Sequence, residues 1–412
     1  MKKTLLFFVL LANIFIAECF GAARKKLVVY YANWTTAQRC PVTGNLTQAA
    51  PDLDAINYAF ASIDTTTGKV VLSDPDVDVG ASTCWCNGNF YKLMCLKAQN
   101  PQLKVLLSIG GWSDREKFKT IVDAGLTDIF VQSCVQILNW TVIDGVRYDY
   151  QHLFDGIDID WEFDNGDPAG YAAAYLTLMT KLKAAFTAVY ESTCVSYVLT
   201  TALQASPATY QGSTAINIRS VSALVNWINV MTYDFHGLWE DTTNFGAPLY
   251  GSSSNDQLCV DCAIRGFLRA GAPASKLLLG VSYENADSAY QGVPAGTTCG
   301  LRQPTTGSAT GILGKYEAGQ IYYKDIVTYL LASANCGFGC YGYCWSSSQC
   351  ASWLYNQTAG YFVSYESPAS ACAKVNYLLS KNLAGLMAWN MCADTNGASL
   401  THFIRSQLDV TS

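Results

Sequence analysis

Three acidic residues at alternate positions, Asp158, Asp160 and Glu162, are the clearest sign of chemistry in this sequence. In an extended strand, residues two apart project to the same side, so these carboxyls form a row with neighbours roughly 7 Å apart. In a sheltered site their mutual repulsion keeps one of them protonated near neutral pH. A carboxylic acid beside a carboxylate is suited to acid-catalysed cleavage of an acetal, and glycosidic bonds are the usual target.

The same alternation of acidic and apolar residues also has a simpler interpretation, a half-buried strand with one solvated face. The surroundings of the row favour the chemical interpretation. Aromatic residues flank the row, Gly156 lies just before it, and several other predicted strands end in polar or aromatic residues.

The composition allows a large core and limits the possible partners. Of the 412 residues, 50% are hydrophobic and 14% are charged, and the formal net charge is −6. This length suits a (β/α)8 barrel that carries an insertion. Lys and Arg are scattered along the chain, which argues against nucleic acid as a partner. The aromatic content of 13% suits a cleft that stacks on sugar rings, although most aromatic residues are expected in the core.

The first residues have the pattern of an export signal. Lys2 and Lys3 precede an apolar run over residues 5–17, and small residues follow near Ala23. We therefore expect a signal peptide at residues 1–22 and a secreted, extracellular protein. The apolar run is short for a membrane span, so we expect no membrane contact after removal of the signal. We also expect a monomer.

Sixteen cysteines in an exported chain predict disulfides rather than metal ligands. Loss of Cys19 with the signal would leave an odd number, so that one thiol is free or pairs between chains. Zinc is the alternative, and two cysteine groups have suitable spacing: Cys84 with Cys86, and Cys336, Cys340, Cys344 and Cys350. Histidine occurs only three times, however, and the expected compartment is oxidising. We therefore expect no metal and no cofactor. If the host is eukaryotic, sequons allow N-glycans at Asn33, Asn45, Asn139 and Asn356.

Eight apolar runs rich in β-branched and aromatic residues predict strands. They lie at 27–31, 55–62, 103–109, 154–162, 197–203, 227–233, 276–283 and 383–389. Helical spacing of apolar residues predicts helices at 116–138, 171–190, 221–225, 262–270 and 369–381. This alternation predicts an α/β fold, a (β/α)8 TIM barrel, with a small α+β insertion between strands seven and eight. We expect one domain at 23–412, with the barrel at 27–284 and 382–408 and the insertion at about 285–381.

Polar and aromatic residues gather where the predicted strands end. In this type of barrel the carboxyl ends of the strands form one rim, and active sites lie at that rim. The carboxyl row therefore faces into the barrel and ends at the rim. The residues expected at this rim include Trp34, Phe60, Trp112, Glu162, Tyr233, Asp234 and Trp389.

These motifs make the chain resemble the family 18 glycoside hydrolases, the chitinase family. Residues 155–162, Asp-Gly-Ile-Asp-Ile-Asp-Trp-Glu, match the family's D-G-x-D-x-D-W-E signature in full. Residues 108–111 match its S-x-G-G motif, and residues 231–237 are similar to its sixth-strand motif. The segments 246–250 and 365–389 resemble the family's next loop and its approach to strand eight. The resemblance covers residues 27 to about 405.

The resemblance implies a secreted chitinase that hydrolyses β-1,4-linked N-acetylglucosamine polymers with retention and without an enzyme nucleophile. Glu162 would protonate the glycosidic oxygen, and the N-acetyl carbonyl of the substrate would attack the anomeric carbon. Asp160 would hold the acetamido N–H, and Asp158 would share a proton with it. Tyr233 would donate to the acetamide oxygen. Asp155, the first residue of the motif, is interpreted as structural.

The same resemblance implies a cleft for chitin or a chito-oligosaccharide. Trp389 would form the floor on which the distorted sugar stacks. The other cleft residues would be Tyr30, Phe60, Trp112, Met231 and Asp234. At the end of strand seven, residues 280–285 depart from the family's usual Pro, Phe or Tyr, Gly, Arg pattern, so the contacts on that side are left open.

Two other functions remain open at this point. A chitinase-like lectin would keep the barrel and bind oligosaccharide without cutting it, but lectin relatives usually lose the acid at the position of Glu162. An endo-β-N-acetylglucosaminidase acting on N-glycans would share the carboxyl row and its chemistry. The expected insertion argues against that enzyme, and the presence of Glu162, Asp160 and Tyr233 favours a chitinase.

Overall fold

A computed structural model describes residues 24–35, 41–80, 88–140, 142–143, 146–147, 150, 152–285, 288–296, 298–332 and 340–410. The predicted signal peptide at 1–22 lies outside these residues. So do three of the cysteines considered for zinc, Cys84, Cys86 and Cys336, and the threonine of the sequon at Asn139.

Eight parallel strands form a closed barrel, which confirms the predicted fold class. Each strand pairs with the next one along the chain, and the eighth pairs with the first. The strands are β1 Lys26–Ala32, β2 Ala55–Ile63, β3 Lys104–Gly110, β4 Gly156–Asp160, β5 Val198–Gln204, β6 Trp227–Met231, β7 Leu277–Ser282 and β8 Gly385–Trp389. A short strand, Val70–Leu72, adds an antiparallel hairpin to β2.

Alternation along each strand separates the interior of the barrel from its helical shell. Along β1, Val28 and Tyr30 join the apolar cluster inside the barrel, whereas Leu27, Val29 and Tyr31 join the larger cluster beneath the helices. All five side chains are buried. The strands therefore read as continuous apolar runs, because both of their faces are covered.

Helices follow the strands and cover the outside of the barrel. They are α1 Asn89–Gln99, α2 Arg115–Asp123, α3 Thr127–Trp140, α4 Ala172–Thr193, α5 Ile218–Leu224, α6 Val260–Arg269, α7 Pro368–Ser380 and α8 Ser399–Asp409. The longest, α4, buries Tyr175, Leu178, Leu182 and Phe186, which recur at helical spacing on one side.

The segment predicted as one helix at 116–138 forms two helices, α2 and α3. Gly125 lies between them at φ 69°, in the left-handed region that glycine adopts most easily. The apolar spacing is helical on both sides of this residue, which explains why the break was missed.

Between β7 and β8 the chain forms antiparallel sheets outside the barrel. A five-stranded sheet has the order Gly307–Ser308, Ala289–Gln291, Tyr361–Tyr365, Ala351–Asn356 and Gly342–Ser346. Glu284–Asn285 pairs separately with Ile321–Tyr322. Helix α7 then leads back to the barrel and packs against α8. The exact extent of the insertion, about 285–381, stays a prediction.

An ion pair between Glu366 and Lys374 joins the end of the central strand of this sheet, Tyr361–Tyr365, to α7. Both side chains are almost completely buried, with 3% and 1% of their surfaces exposed. Ser367 caps α7 and forms a reciprocal capping box with Ser370, which fixes the start of the helix at Pro368, six residues before Lys374.

The described cysteines include one formed disulfide, Cys259–Cys262, at the start of α6, with a Cα–Cα distance of 5.1 Å. Seven other described cysteines, among them Cys299 and Cys344, are thiols. Within the described part of the chain, no helix combines the length and the hydropathy needed to cross a membrane.

Candidate active site

The carboxyl row lies on β4 and just beyond it. Asp158 and Asp160 project into the barrel and are buried, with 0% and 4% of their surfaces exposed. Glu162 follows the last residue of β4 by two positions and is partly accessible. Trp161 points the other way, towards the helices, and stacks on Phe118 with 5.1 Å between ring centroids. The row therefore runs from the centre of the barrel to its rim.

Asp158 is held by four donors from four different strands. Tyr30 Oη and Ser108 Oγ donate to Oδ2 at 2.7 and 2.8 Å. Thr200 Oγ1 and Asn229 Nδ2 donate to Oδ1 at 2.6 and 3.1 Å. Burial raises the pKa of Asp158, and these hydrogen bonds oppose that rise because they stabilise the carboxylate.

The strand register explains why these donors converge. Ser108 on β3 and Thr200 on β5 are the direct neighbours of Asp158 across the sheet. Asn229 on β6 reaches the same carboxylate from one strand further away. The barrel therefore assembles around Asp158 a polar centre that local sequence does not reveal.

Asp160 has a different environment from Asp158. Burial raises its pKa well above the usual value, and the charges of Glu162 and Asp158 raise it further. Its Oδ1 atom is buried and accepts no hydrogen bond from any described residue. A buried oxygen without a donor from the protein is costly, so it is well suited to accept an N–H from a ligand.

Burial raises the pKa of Glu162 to about 7, and the positive charge of Arg115 limits the rise. Arg115 pairs with Asp164 at 2.9 Å, and its guanidinium lies 4.1 Å from the ring centroid of Trp112. At neutral pH Glu162 therefore populates both its acid and its carboxylate form, as a general acid and base requires.

Two glycines let the end of β3 approach this row. Gly110 has φ 118°, and a Cβ there would lie 2.2 Å from the carbonyl oxygen of Asp160. Gly111 has φ 81°, and a Cβ there would lie 2.5 Å from the ring of Phe60. The S-x-G-G motif at 108–111 thus allows both a hydrogen bond to Asp158 and close packing against its neighbours.

Three aromatic rings at the ends of β1, β2 and β8 form what we call the aromatic floor: Trp34, Phe60 and Trp389. Phe60 stacks on Trp389 with 5.8 Å between centroids and on Trp34 with 6.0 Å. Tyr30 lies beneath Trp389 with a centroid distance of 5.5 Å. Trp34 is 53% exposed, so the floor is open to solvent on that side.

Tyr233 lies two residues beyond the end of β6, and its hydroxyl is 3.9 Å from the Met387 sulfur. Burial raises its pKa well above the usual value, and nearby charges, first that of Asp234, add to the rise. The phenol therefore keeps its proton and remains a hydrogen-bond donor throughout the neutral range.

The other predicted cleft residues occupy different depths. Met231, at the end of β6, packs with Phe60 and Trp389 against the interior cluster. Asp234 is exposed at φ 54°. Trp112 is 52% exposed and packs on Arg115 rather than on the aromatic floor. The structure thus brings Tyr30, Phe60, Met231, Tyr233 and Trp389 together and leaves Trp112 and Asp234 at the periphery.

Sequence reasoning missed several residues that build this site. Asn229 is a lone amide in the apolar run of β6, and Thr200 begins a Thr-Thr pair within β5; both are buried polar residues inside predicted strands, which was the available signal. Trp34 was recognised as a strand end but not as part of the floor. Arg115 carried no signal.

Glu284 is the other residue that was missed, and it lies where the sequence departs from the family's strand-seven pattern. Its carboxylate accepts hydrogen bonds from the side-chain amides of Asn390 and Gln320. Asn390 follows Trp389 directly. Glu284 therefore ties the end of β7 to the residue after the aromatic floor and to the insertion.

Asp155, by contrast, lies before β4 at the opposite end of the strand from Glu162. It pairs with Lys97 at 2.7 Å and with Lys104 at 3.3 Å, and it accepts the backbone N–H of Val105. These contacts connect β4 to α1 and β3, which is consistent with a structural residue.

Comparison with known proteins gives one family. The model for "Glycosyl hydrolases family 18" matches residues 26–394. Chitinase A1 of Niallia circulans is 29% identical over 459 aligned positions, which cover 96% of this chain and 62% of that protein. Chitinase C of Streptomyces lividans is 29% identical over 421 positions, covering 94% of this chain and 60% of that protein. The chain therefore spans less than two thirds of the length of either relative.

Solved structures show the same fold. Chitinase ChiA74 from Bacillus thuringiensis superposes with a TM-score of 0.75 at 26% identity, covering 90% of this chain and 66% of that one. The catalytic domain of the psychrophilic chitinase B from Arthrobacter TAD20 superposes with a TM-score of 0.77 at 22% identity, over 94% of this chain and 95% of that one.

Proposed function

The chain belongs to glycosyl hydrolase family 18, and on that premise we propose that it is a chitinase, which hydrolyses β-1,4-linked N-acetylglucosamine polymers with retention at the anomeric carbon. One observation carries the proposal. A row of three carboxyls ends in a rim residue whose pKa is raised to about 7, beside a buried carboxyl oxygen that no described residue satisfies. The match to relatives named chitinases over more than 90% of this chain supports the substrate class.

Glu162 acts as the general acid in this proposal. Near pH 7 about half of the Glu162 side chains carry a proton, because the pKa is about 7. A protonated Glu162 donates to the glycosidic oxygen as the bond breaks, and the resulting carboxylate later deprotonates the attacking water. A pKa close to the working pH favours both steps.

Asp160 orients the internal nucleophile. Its unsatisfied Oδ1 accepts the acetamido N–H of the sugar, which turns the N-acetyl carbonyl oxygen towards the anomeric carbon. Bond formation by this oxygen replaces an enzyme nucleophile. Asp158 stays anchored by its four donors and shares a proton with Asp160 while Glu162 changes its charge.

Tyr233 and the aromatic floor complete the site. The protonated phenol of Tyr233 donates to the acetamide oxygen and stabilises the charge that develops on it. The face of Trp389 supports the apolar side of the sugar ring, and Phe60 and Trp34 extend that support. The remaining predicted contacts, from Tyr30, Met231, Trp112 and Asp234, are less direct in this proposal.

Secretion is part of the same proposal. Its support is the charged and apolar pattern of residues 2–17, together with a cysteine content that is typical of exported proteins. An extracellular enzyme would meet chitin or chito-oligosaccharides outside the cell as substrates, without a membrane contact.

Incubation with chito-oligosaccharides, followed by chromatography and proton NMR of the first products, tests the function. We expect shorter oligosaccharides whose new reducing ends appear first as the β-anomer. Tight binding without cleavage would favour the lectin and overturn the enzyme. An initial α-anomer would contradict retention. Cleavage of a high-mannose N-glycan but not of chitin would identify the glycan-directed enzyme instead.

A further inference from the structure

Two cysteines from distant parts of the insertion lie on the same side of its five-stranded sheet. Cys344 belongs to the edge strand Gly342–Ser346, and its direct neighbour across the sheet is Trp353. Side chains of such a pair project from the same face. The indole N–H of Trp353 donates to the carbonyl of Cys299 at 2.8 Å. This hydrogen bond places Cys299 on the face from which Cys344 projects.

The side chains of Cys299 and Cys344 lie in the same part of the insertion. Both side chains are half-buried and pack against the apolar cluster that contains Phe245, Trp353 and Phe362. The Cys299 side chain lies close enough to the Cys344 thiol to affect its proton binding. Burial, with a further contribution from that side chain, raises the pKa of Cys344 to about 12, so this thiol stays protonated until it reacts.

We propose that Cys299 and Cys344 form a disulfide in the protein under oxidising conditions. Two cysteine side chains that lie beside the same tryptophan on one face are in the arrangement that such a bond requires. The bond would connect the loop around residues 298–303 to the edge strand. It would also close a segment of about 45 residues of the insertion.

The oxidant in this proposal is a small disulfide such as oxidised glutathione. The Cys299 sulfur attacks it, breaks its S–S bond and releases one glutathione thiol. The Cys344 sulfur then attacks the Cys299 sulfur of the mixed disulfide and releases the second glutathione thiol. The two cysteine protons end on the two glutathione thiols, so the protein loses two electrons and the glutathione disulfide gains two.

The location gives the bond a structural role. Among the described strands, Gly342–Ser346 pairs only with Ala351–Asn356, so its other side is an edge of the sheet. Edge strands open more easily than central ones. A disulfide to the neighbouring loop would hold this strand without adding a further strand, and it would restrict the unfolded chain.

Peptide mapping without reduction tests the pairing directly. The protein is equilibrated with oxidised glutathione, its free thiols are alkylated, and the digest is analysed by mass spectrometry. We expect a linked peptide pair that contains Cys299 and Cys344, lost on reduction, with the Cys259–Cys262 peptide as internal control. Alkylation of both residues, or a bond from either one to another cysteine, would overturn the proposal.

A thermal double-mutant cycle tests the same bond in the folded protein. Cys299→Ser, Cys344→Ser and the double variant should each lower Tm by about the same amount, roughly 5 °C, because one substitution already removes the bond. Reduction of the wild type should lower its Tm by at least this amount, because it also breaks the Cys259–Cys262 bond. Additive losses in the double variant would contradict a shared bond.

Cys350→Ser is the matched control. Cys350 is half-buried in the same insertion, and its thiol contacts the carbonyl oxygen of Ser347 at 3.6 Å rather than another sulfur. We expect its Tm to stay within about 1 °C of the wild type, as for most substitutions that break no defined interaction. An equal loss in Cys350→Ser would show that replacement of any half-buried thiol explains the effect.

Discussion

Two of the regions with buried carboxyl groups in this molecule have different surroundings. On β4, Asp158 and Asp160 lie beside each other and close to Glu162. The positive charge of Arg115 acts on this row only by limiting the rise in the pKa of Glu162. In the insertion, Glu366 is equally buried but forms an ion pair with Lys374. The β4 row therefore places several carboxyls next to one another, whereas in the insertion one carboxylate is paired with one cation.

The difference shows that burial alone does not make a carboxyl useful for proton transfer. A buried carboxylate with a cation in contact keeps its charge and holds structure together. Buried carboxyls beside other carboxyls share protons, and the outermost of them can exchange one with a ligand. We therefore assign the β4 row to catalysis and the Glu366–Lys374 pair to the stability of the fold, and each assignment can be tested separately.

The largest effect is expected from Glu162→Gln, which removes the proposed acid and keeps its size. We expect kcat on a chito-oligosaccharide to fall by about 10³-fold or more, because the amide cannot protonate the glycosidic oxygen as the carboxylic acid does. Binding of the oligosaccharide, measured by calorimetry, should change little.

Asp164→Asn is the matched control for this change. Asp164 lies two residues beyond Glu162, is exposed, and pairs with the same Arg115. Its removal should leave kcat within about threefold, as expected for a surface ion pair. Near-wild-type turnover by Glu162→Gln would refute the role of Glu162, and an equal loss in both variants would point to Arg115 instead.

The next largest effect is expected on stability, from Lys374→Met. This change leaves the Glu366 carboxylate buried without its cation, which should lower the free energy of unfolding by about 3–5 kcal/mol. Urea unfolding followed by tryptophan fluorescence measures the loss. The rate of chitin cleavage per folded molecule should stay within a few-fold of the wild type.

The double variant Lys374→Met/Glu366→Gln separates charge from packing. Because it removes the unpaired charge, it should recover part of the stability that the single change loses. If the double variant recovers no stability, the Lys374 side chain contributes through its packing. A large loss of turnover would show that the ion pair also affects catalysis.

The pH dependence of cleavage should reflect the row. Burial raises the pKa of Glu162 to about 7, so the acid form is present below that pH and is lost above it. We expect kcat/KM to fall about tenfold for each pH unit above 7, a factor worth about 1.4 kcal/mol per unit. A constant rate up to pH 9 would exclude Glu162 as the acid.

The sequence revealed the barrel because its strands are covered on both faces and therefore form continuous apolar runs. Their predicted ends differ from the observed ones by one or two residues, as in β4, which is confined to Gly156–Asp160. The carboxyl row was visible for the same local reason, since alternation along one strand fixes which side chains share a face.

The side chains that form hydrogen bonds with that row could not be predicted in the same way. Ser108, Thr200 and Asn229 meet at Asp158 only after the barrel closes in its register, because each lies on a different strand. Glu284 likewise contacts Asn390 across more than a hundred residues. The antiparallel strands of the insertion were short and mixed with turns, so periodicity alone did not define them.

The smallest effect is expected from Arg115→Met, which removes the cation that limits the pKa of Glu162. The pKa should then rise, so the fall in kcat/KM should begin at a higher pH than in the wild type. Lys117→Met is the control, because Lys117 lies on the same helix but pairs with Asp114 at 2.9 Å; its pH profile should match the wild type. An unchanged profile in Arg115→Met, or a shift to lower pH, would show that Arg115 does not set the charge of Glu162, and the contrast with the neutralised Glu366 would then rest on burial alone.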